Sequence, residues 1–90
     1  MTKAELVSKI SRITRVEELV VLPIIESFMK TVKGSLAENE NIYLSGFGNF
    51  IVKHKAQKPA RNIAQNENII VPAHNIPAFR PAKKFEDRIK

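Results

Sequence analysis

Apolar residues in the N-terminal part of the chain recur at helical spacing. Leu6, Ile10 and Ile13 fall on one face behind Thr2, a capping residue with Glu5 three positions on, which predicts a first helix running to about Thr14. Val21, Ile25, Phe28, Met29, Val32 and Leu36, three or four apart, predict a second helix that stops near Asn39. Pro23 sits inside that pattern without a backbone donor, so a kink or an irregular start is expected. From Leu19 to Ile25 the chain is apolar nearly all round, whereas a surface helix on a small monomer carries one stripe; the surplus face calls for a second subunit. At this spacing Phe28-Met29 reads as core rather than as a ligand box.

After Asn41 the period changes to that of strands. Ile42-Tyr43-Leu44 and Phe50-Ile51-Val52 flank Gly46-Phe47-Gly48-Asn49, which predicts a hairpin whose Phe47 and Phe50 enter the core. The glycines lack the third glycine and the following helix of a dinucleotide loop, so a tight turn is the better reading. From Lys53 to Ile76 the chain is polar and basic, with Pro59 and Pro72 excluding a central strand and permitting a two-stranded ribbon. The reversal is expected between Asn62 and Asn68, with Asn66 in a left-handed conformation. Such a ribbon has no apolar face to dock on, and a long arm, mobile until its partner arrives, is expected. The chain returns through Pro77-Ala78-Phe79 and closes with a short helix after Pro81, where Phe85 and Ile89 share a face.

Composition narrows the function. The 90 residues are 43% apolar and 27% charged, which indicates a globular chain with one domain's worth of core. Without cysteine there is neither a disulfide framework nor a thiolate site. The longest apolar run is far too short to span a bilayer, and the N-terminus lacks the pattern of a secretory signal, so a cytoplasmic location is expected. The net charge of +6 is unevenly placed: up to Val52 the six bases match the six acids, while nine bases from Lys53 onward meet only Glu67, Glu86 and Asp87. A neutral body with a basic appendage favours a polyanionic partner over the bland reading of a solvated face.

Catalysis finds no support. His54 and His74 could approach each other across the ribbon, but two imidazoles without a third ligand make a poor zinc site, and surface histidines are the better reading. No nucleophile with its base is apparent, so no catalytic residue, metal, cofactor or small-molecule substrate is expected. Lys53, Lys55, Lys58 and Arg61 along the outgoing limb, with Arg80, Lys83 and Lys84 where the chain re-enters the body, suit a phosphate backbone, and the helix starts near Thr2 and Pro81 can offer amides as well. At the tip, Arg61-Asn62-Ile63 combines a cation, an amide and a compact apolar group, the chemistry of a minor-groove reader with a wedge. The plain alternative is an isoleucine packed at a hairpin tip.

Leu44-Ser45-Gly46-Phe47-Gly48-Asn49-Phe50, Arg61-Asn62, Ile70-Val71-Pro72-Ala73 and Ile76-Pro77-Ala78-Phe79-Arg80-Pro81-Ala82-Lys83 together resemble the HU/IHF family of bacterial histone-like DNA-binding proteins, and the resemblance covers the whole chain. It implies an α+β fold: an intertwined dimer with an N-terminal helical hairpin, a three-stranded antiparallel sheet bearing a long β-ribbon arm, and a short C-terminal helix. One domain over 1–90 follows, with a helical dimerisation base (1–39), a sheet body (40–52 and 76–81), a DNA-binding arm (53–75) and the last helix (82–90). Ile25, Phe28, Met29, Val32, Phe47, Phe50 and Phe79 are the expected dimer core. The resemblance assigns Lys53, Lys55, Lys58 and Arg61 to arm phosphate contacts, Arg80 and Lys83 to positions beneath the DNA, and Lys3, Ser45 and Gly46 to a clamp on the flanking backbone. Asn62 and Ile63 complete the tip.

Departures from the family pattern concern geometry. Ile63 stands where the intercalating proline is usual; it can wedge, but keeps a backbone donor and rotamer freedom. Asn66 serves where the tip usually has glycine, Arg15 replaces a glycine common between the first helices, and Pro23 is unusual in the second. The leading expectation is a homodimer that bends and compacts double-stranded DNA in the nucleoid with little sequence preference; a heterodimer with a paralogue is an open variant. The alternatives are a site-specific bender of the IHF type, suggested by Lys58-Pro59 before Arg61, and a basic adaptor for an acidic protein or anionic membrane.

Overall fold

The computed structural model describes the backbone of residues 1–62 and 67–90 and the side chains of 1–59 and 69–90. Ile63 and Asn66, the expected wedge and turn residue, lie outside the described residues, as do the side chains of Arg61 and Asn62. The chain forms two compact units, Met1–Gly34 and Ser35–Lys90.

In the first unit, α1 (Lys3–Thr14) starts at Thr2, whose hydroxyl accepts from the Glu5 amide at 3.2 Å. The same hydroxyl lies 3.2 Å from Glu5 Oε1, so the pair meets side chain to side chain. Arg15 ends α1 in the left-handed conformation, φ 62° and ψ 27°, with its amide bonded to the Ser11 carbonyl. The position where a glycine was expected thus has the backbone that glycine adopts most easily. α2 (Glu18–Ala37) is continuous through Pro23, and only its start is irregular, with the Glu17 carbonyl accepting from both Val20 and Val21. Val7 and Val21 are the buried apolar residues of the described chain.

The second unit begins with the end of α2, where Asn39 is left-handed at φ 61° and the amides of Asn39 and Glu40 return to the carbonyls of Leu36 and Ser35. This is a Schellman ending, and the Ser35 hydroxyl reinforces it by donating to the Glu40 carbonyl at 2.8 Å. Three antiparallel strands follow in the order β1 (Ile42–Leu44), β2 (Gly48–Lys55), β5 (His74–Pro81). The β1–β2 turn closes through the Phe47 amide on the Leu44 carbonyl, with Gly46 at φ 79°, the value a type II turn needs at its third residue. Beyond the last β1–β2 pair, the Asn41 side chain accepts the Val52 amide and so extends the edge by one bond.

The sheet reaches further than the hydrophobic pattern indicated, to Lys55 paired with His74. Ala56-Gln57 and Pro72-Ala73 then interrupt the ladder, and pairing resumes between β3 (Lys58–Asn62) and β4 (Glu67–Val71). Both limbs skip the same number of residues, so the ribbon keeps one register through the interruption. Pro72, with no amide to donate, sits where pairing lapses. The chain ends with α3 (Lys83–Ile89), whose N-cap Ala82 donates its amide to the Phe47 carbonyl and ties the helix start to the β1–β2 turn.

Phe47 and Phe50 both meet Phe79, with ring centroids 5.2 and 5.0 Å away, and Phe85 closes the cluster from α3 at 5.2 Å from Phe47. Gly48 makes this packing possible. A Cβ there would lie 2.6 Å from the Phe79 ring and 2.7 Å from the Arg80 carbonyl. Gly48→Ala is expected to cost about 1–3 kcal/mol by overpacking, whereas Arg15→Gly should gain roughly 0.5–1 kcal/mol by relieving a left-handed side-chain residue. Thermal unfolding at one fixed protein concentration checks both.

Candidate nucleic-acid interface

Residues directly opposite in an antiparallel ladder share a face, and successive residues alternate. On β2 and β5 this puts Phe50 with Phe79 and Val52 with Pro77 on one face, and Asn49 with Arg80, Ile51 with Ala78, Lys53 with Ile76 and Lys55 with His74 on the other. The sheet is therefore aromatic on one side and cationic on the other. Its three strands contain no aspartate or glutamate, so nothing within them neutralises Lys53, Lys55 and Arg80. Lys53 and Arg80 are exposed and Lys55 is half-buried.

The remaining expected residues take distinct places. Lys58 begins β3 opposite Val71 and is exposed. Arg61 and Asn62 have strand backbone opposite Asn68 and Glu67. Ser45 and Gly46 form the exposed β1–β2 turn, and Lys83, also exposed, opens α3 just beyond the Pro81–Gly48 pair at the same end of the ladder. Lys3 belongs to the first unit, where its ammonium pairs with Glu26 at 3.1 Å; both side chains are about half exposed. Among the described residues the other ion pair is Lys90–Asp87 at 3.9 Å, which leaves the sheet and arm lysines without acidic partners.

The two histidines do not converge. His54 lies on the aromatic side with Nδ1 2.9 Å from Asn75 Oδ1, and His74 lies on the cationic side with Nδ1 2.9 Å from the Pro72 carbonyl. Among the described residues no group of three metal-ligating side chains forms. Tyr43 joins the cationic side through Asn49, although its apolar neighbours in sequence concealed it; only the register, which alternates it with Ile42 and Leu44, identifies the face.

The family model described as bacterial DNA-binding protein matches residues 1–90. The chain belongs to the HU/IHF family. The integration host factor alpha subunit of Actinobacillus succinogenes is 36% identical over all 90 residues of this chain and 92% of its own length. Its counterpart in Shewanella oneidensis is 34% identical with the same coverage. Anabaena HU, solved in a cocrystal with DNA, superposes with a TM-score of 0.94 at 26% identity, covering 99% of this chain and 97% of that one. HU from Thermotoga maritima shares the fold at TM-score 0.71 and 21% identity over the full length of both chains. The protein is accordingly a nucleoid-associated, architectural DNA-binding protein rather than an enzyme. Among the described residues no helix is long and apolar enough to cross a membrane.

A phosphate brought to Lys3 would have to displace Glu26 from the same ammonium. Glu26→Gln is expected to tighten DNA binding at low salt, with the gain fading as salt rises, while stability changes by less than about 1 kcal/mol. Fluorescence anisotropy on a short duplex and a thermal melt check the two parts.

Proposed function

We propose that this HU/IHF protein acts as a dimer that grips duplex DNA with the cationic face of its sheet and with two arms in the minor groove, bending it with little sequence preference. The observation that carries the reading is the division of the β2–β5 ladder into an aromatic face and an acid-free cationic one. Lys53, Lys55, Lys58 and Arg61 contact phosphates along the arm, with Arg61 and Asn62 reaching the groove at its tip; Arg80 and Lys83 lie beneath the DNA, and Lys3, Ser45 and Gly46 clamp the flanking backbone. Ile63 is the wedge, apolar and small enough to open a base step. The chain works as one domain, with 1–39 as base, 40–52 and 76–81 as sheet body, 53–75 as arm and 82–90 as closing helix, in the bacterial cytoplasm.

Dimerisation follows from what a single chain leaves uncovered. Phe28 is 44% exposed, Phe47 45%, Phe79 38% and Met29 39%, and Ile25, Val32 and Phe50 are only partly covered. Each such side chain gains about 1.5–3 kcal/mol when fully buried, so a second copy supplies the core that one chain lacks. The alpha-subunit relatives at 34–36% identity favour one further reading, in which this chain pairs with a paralogue and selects deformable sites. Footprints on mixed genomic fragments separate the two, because a non-selective dimer protects no preferred position.

Energy transfer between dyes at the ends of a short duplex tests the mechanism. Transfer is expected to rise on binding, Ile63→Ala to abolish the rise while affinity stays within about tenfold, and Lys53→Ala to flatten the plot of log affinity against log salt by about 0.9 per arm. Salt-sensitive binding without bending would sink the wedge, and absence of binding at any salt would sink the whole reading.

A further inference from the structure

His74 is a titratable group on the cationic face to which none of the preceding roles falls. It opens β5 at the edge of the ladder interruption, paired with Lys55 and one step along the face from the Lys53–Ile76 pair. The side chain is exposed. Its Nδ1 lies 2.9 Å from the Pro72 carbonyl, and because a carbonyl can only accept, Nδ1 carries the hydrogen. The neutral ring therefore has only a lone pair at Nε2, which a phosphate oxygen cannot use. Protonation converts that same nitrogen into a charged donor.

The surroundings determine when this happens. From β2, Lys53 and Lys55 share the face with His74; along β5 the other charged residue is Arg80; β1 contributes Tyr43 at the far edge. None of the three strands contributes an acid. Beyond the interruption, β3 begins with Lys58, and Glu67 stands at the end of β4 remote from Pro72. Among the described residues no carboxylate forms an ion pair with His74, whereas a phosphate laid along this face supplies a counter-charge.

We infer that His74 contacts the DNA backbone as an imidazolium, so that complex formation takes up a proton on each arm. The inference rests on the reading that the cationic face meets DNA. A proton bound with the DNA makes affinity greater at lower pH and weaker as pH rises. His54 is a built-in control, because it lies on the opposite face with its own Nδ1 engaged by Asn75.

The test is the salt dependence of duplex binding by the full-length protein at about pH 5.5 and about pH 7.5. The slope of log affinity against log salt is expected to be steeper at the lower pH by about 0.9 per arm, with proton uptake visible as a buffer-dependent binding enthalpy. His74→Gln should remove both effects, His54→Gln should keep both, and His74→Lys should show the steep slope at either pH. Equal slopes in the unaltered protein, or a pH difference that survives His74→Gln, would overturn the inference. Lys55→Ala separates it from the reading beneath: a flattened slope at pH 7.5 keeps this face on DNA whatever His74 does, and an unchanged slope removes the face and the histidine contact together.

Discussion

Strand alternation in the β2–β5 ladder is the constraint on which the rest of this structure depends. Because neighbouring residues point to opposite faces, a single register puts Phe50 and Phe79 on one side and Lys53, Lys55 and Arg80 on the other. A slip of one residue would exchange the faces, burying ammonium groups among phenylalanines and exposing the rings. The register is held at its closed end. There Gly48 lets the Phe79 ring and the Arg80 carbonyl approach closer than any side chain would permit, and the Phe47 carbonyl takes the Ala82 amide. Core packing and the charged surface are thus two results of one alignment.

The same alignment carries the charge outward. The ribbon resumes beyond Ala56-Gln57 and Pro72-Ala73 in unchanged register, so the interruption breaks hydrogen bonding without shifting one limb against the other. Between Glu40 and Glu86 the sole acid is Glu67. A surface with so few internal counter-ions has its electrostatic need met by an external polyanion, which is why the affinity of such a protein belongs largely to counter-ion release. In the helical unit the charges are mixed, and Lys3 already has Glu26 as a partner.

Much of this was legible in the residues. Both helices, the start of α1 and the stop of α2 near Asn39 could be read because helix ends are local: the Thr2–Glu5 cap and the turn after α2 involve only near neighbours. The location of the basic excess and the glycine-phenylalanine turn were equally local. Three features were not. Pro23 leaves only the start of α2 irregular, one of the two outcomes expected, and that the helix then runs on unbroken was not legible, because the loss of one donor near a helix start is small against the bonds that remain. The sheet reached past Val52 because Lys53, His54 and Lys55 pair through their backbones, which side-chain hydropathy does not report. Which face each histidine takes was the third, since only the register shows that the pleat sends His54 and His74 to opposite sides.

Sequence alone therefore determined the helices and strand segments, the basic segment and, through motifs spread over the whole chain, the family, since each of these rests on covalent neighbours or on residue identity. Only the tertiary structure decided which cations act together, that four phenylalanines from the turn, two strands and α3 form one cluster, and that His74 rather than His54 stands with Lys55. Those outcomes depend on cross-strand register, and register is set by contacts between residues far apart in the chain, such as Gly48 against Phe79, whose geometry no local pattern encodes.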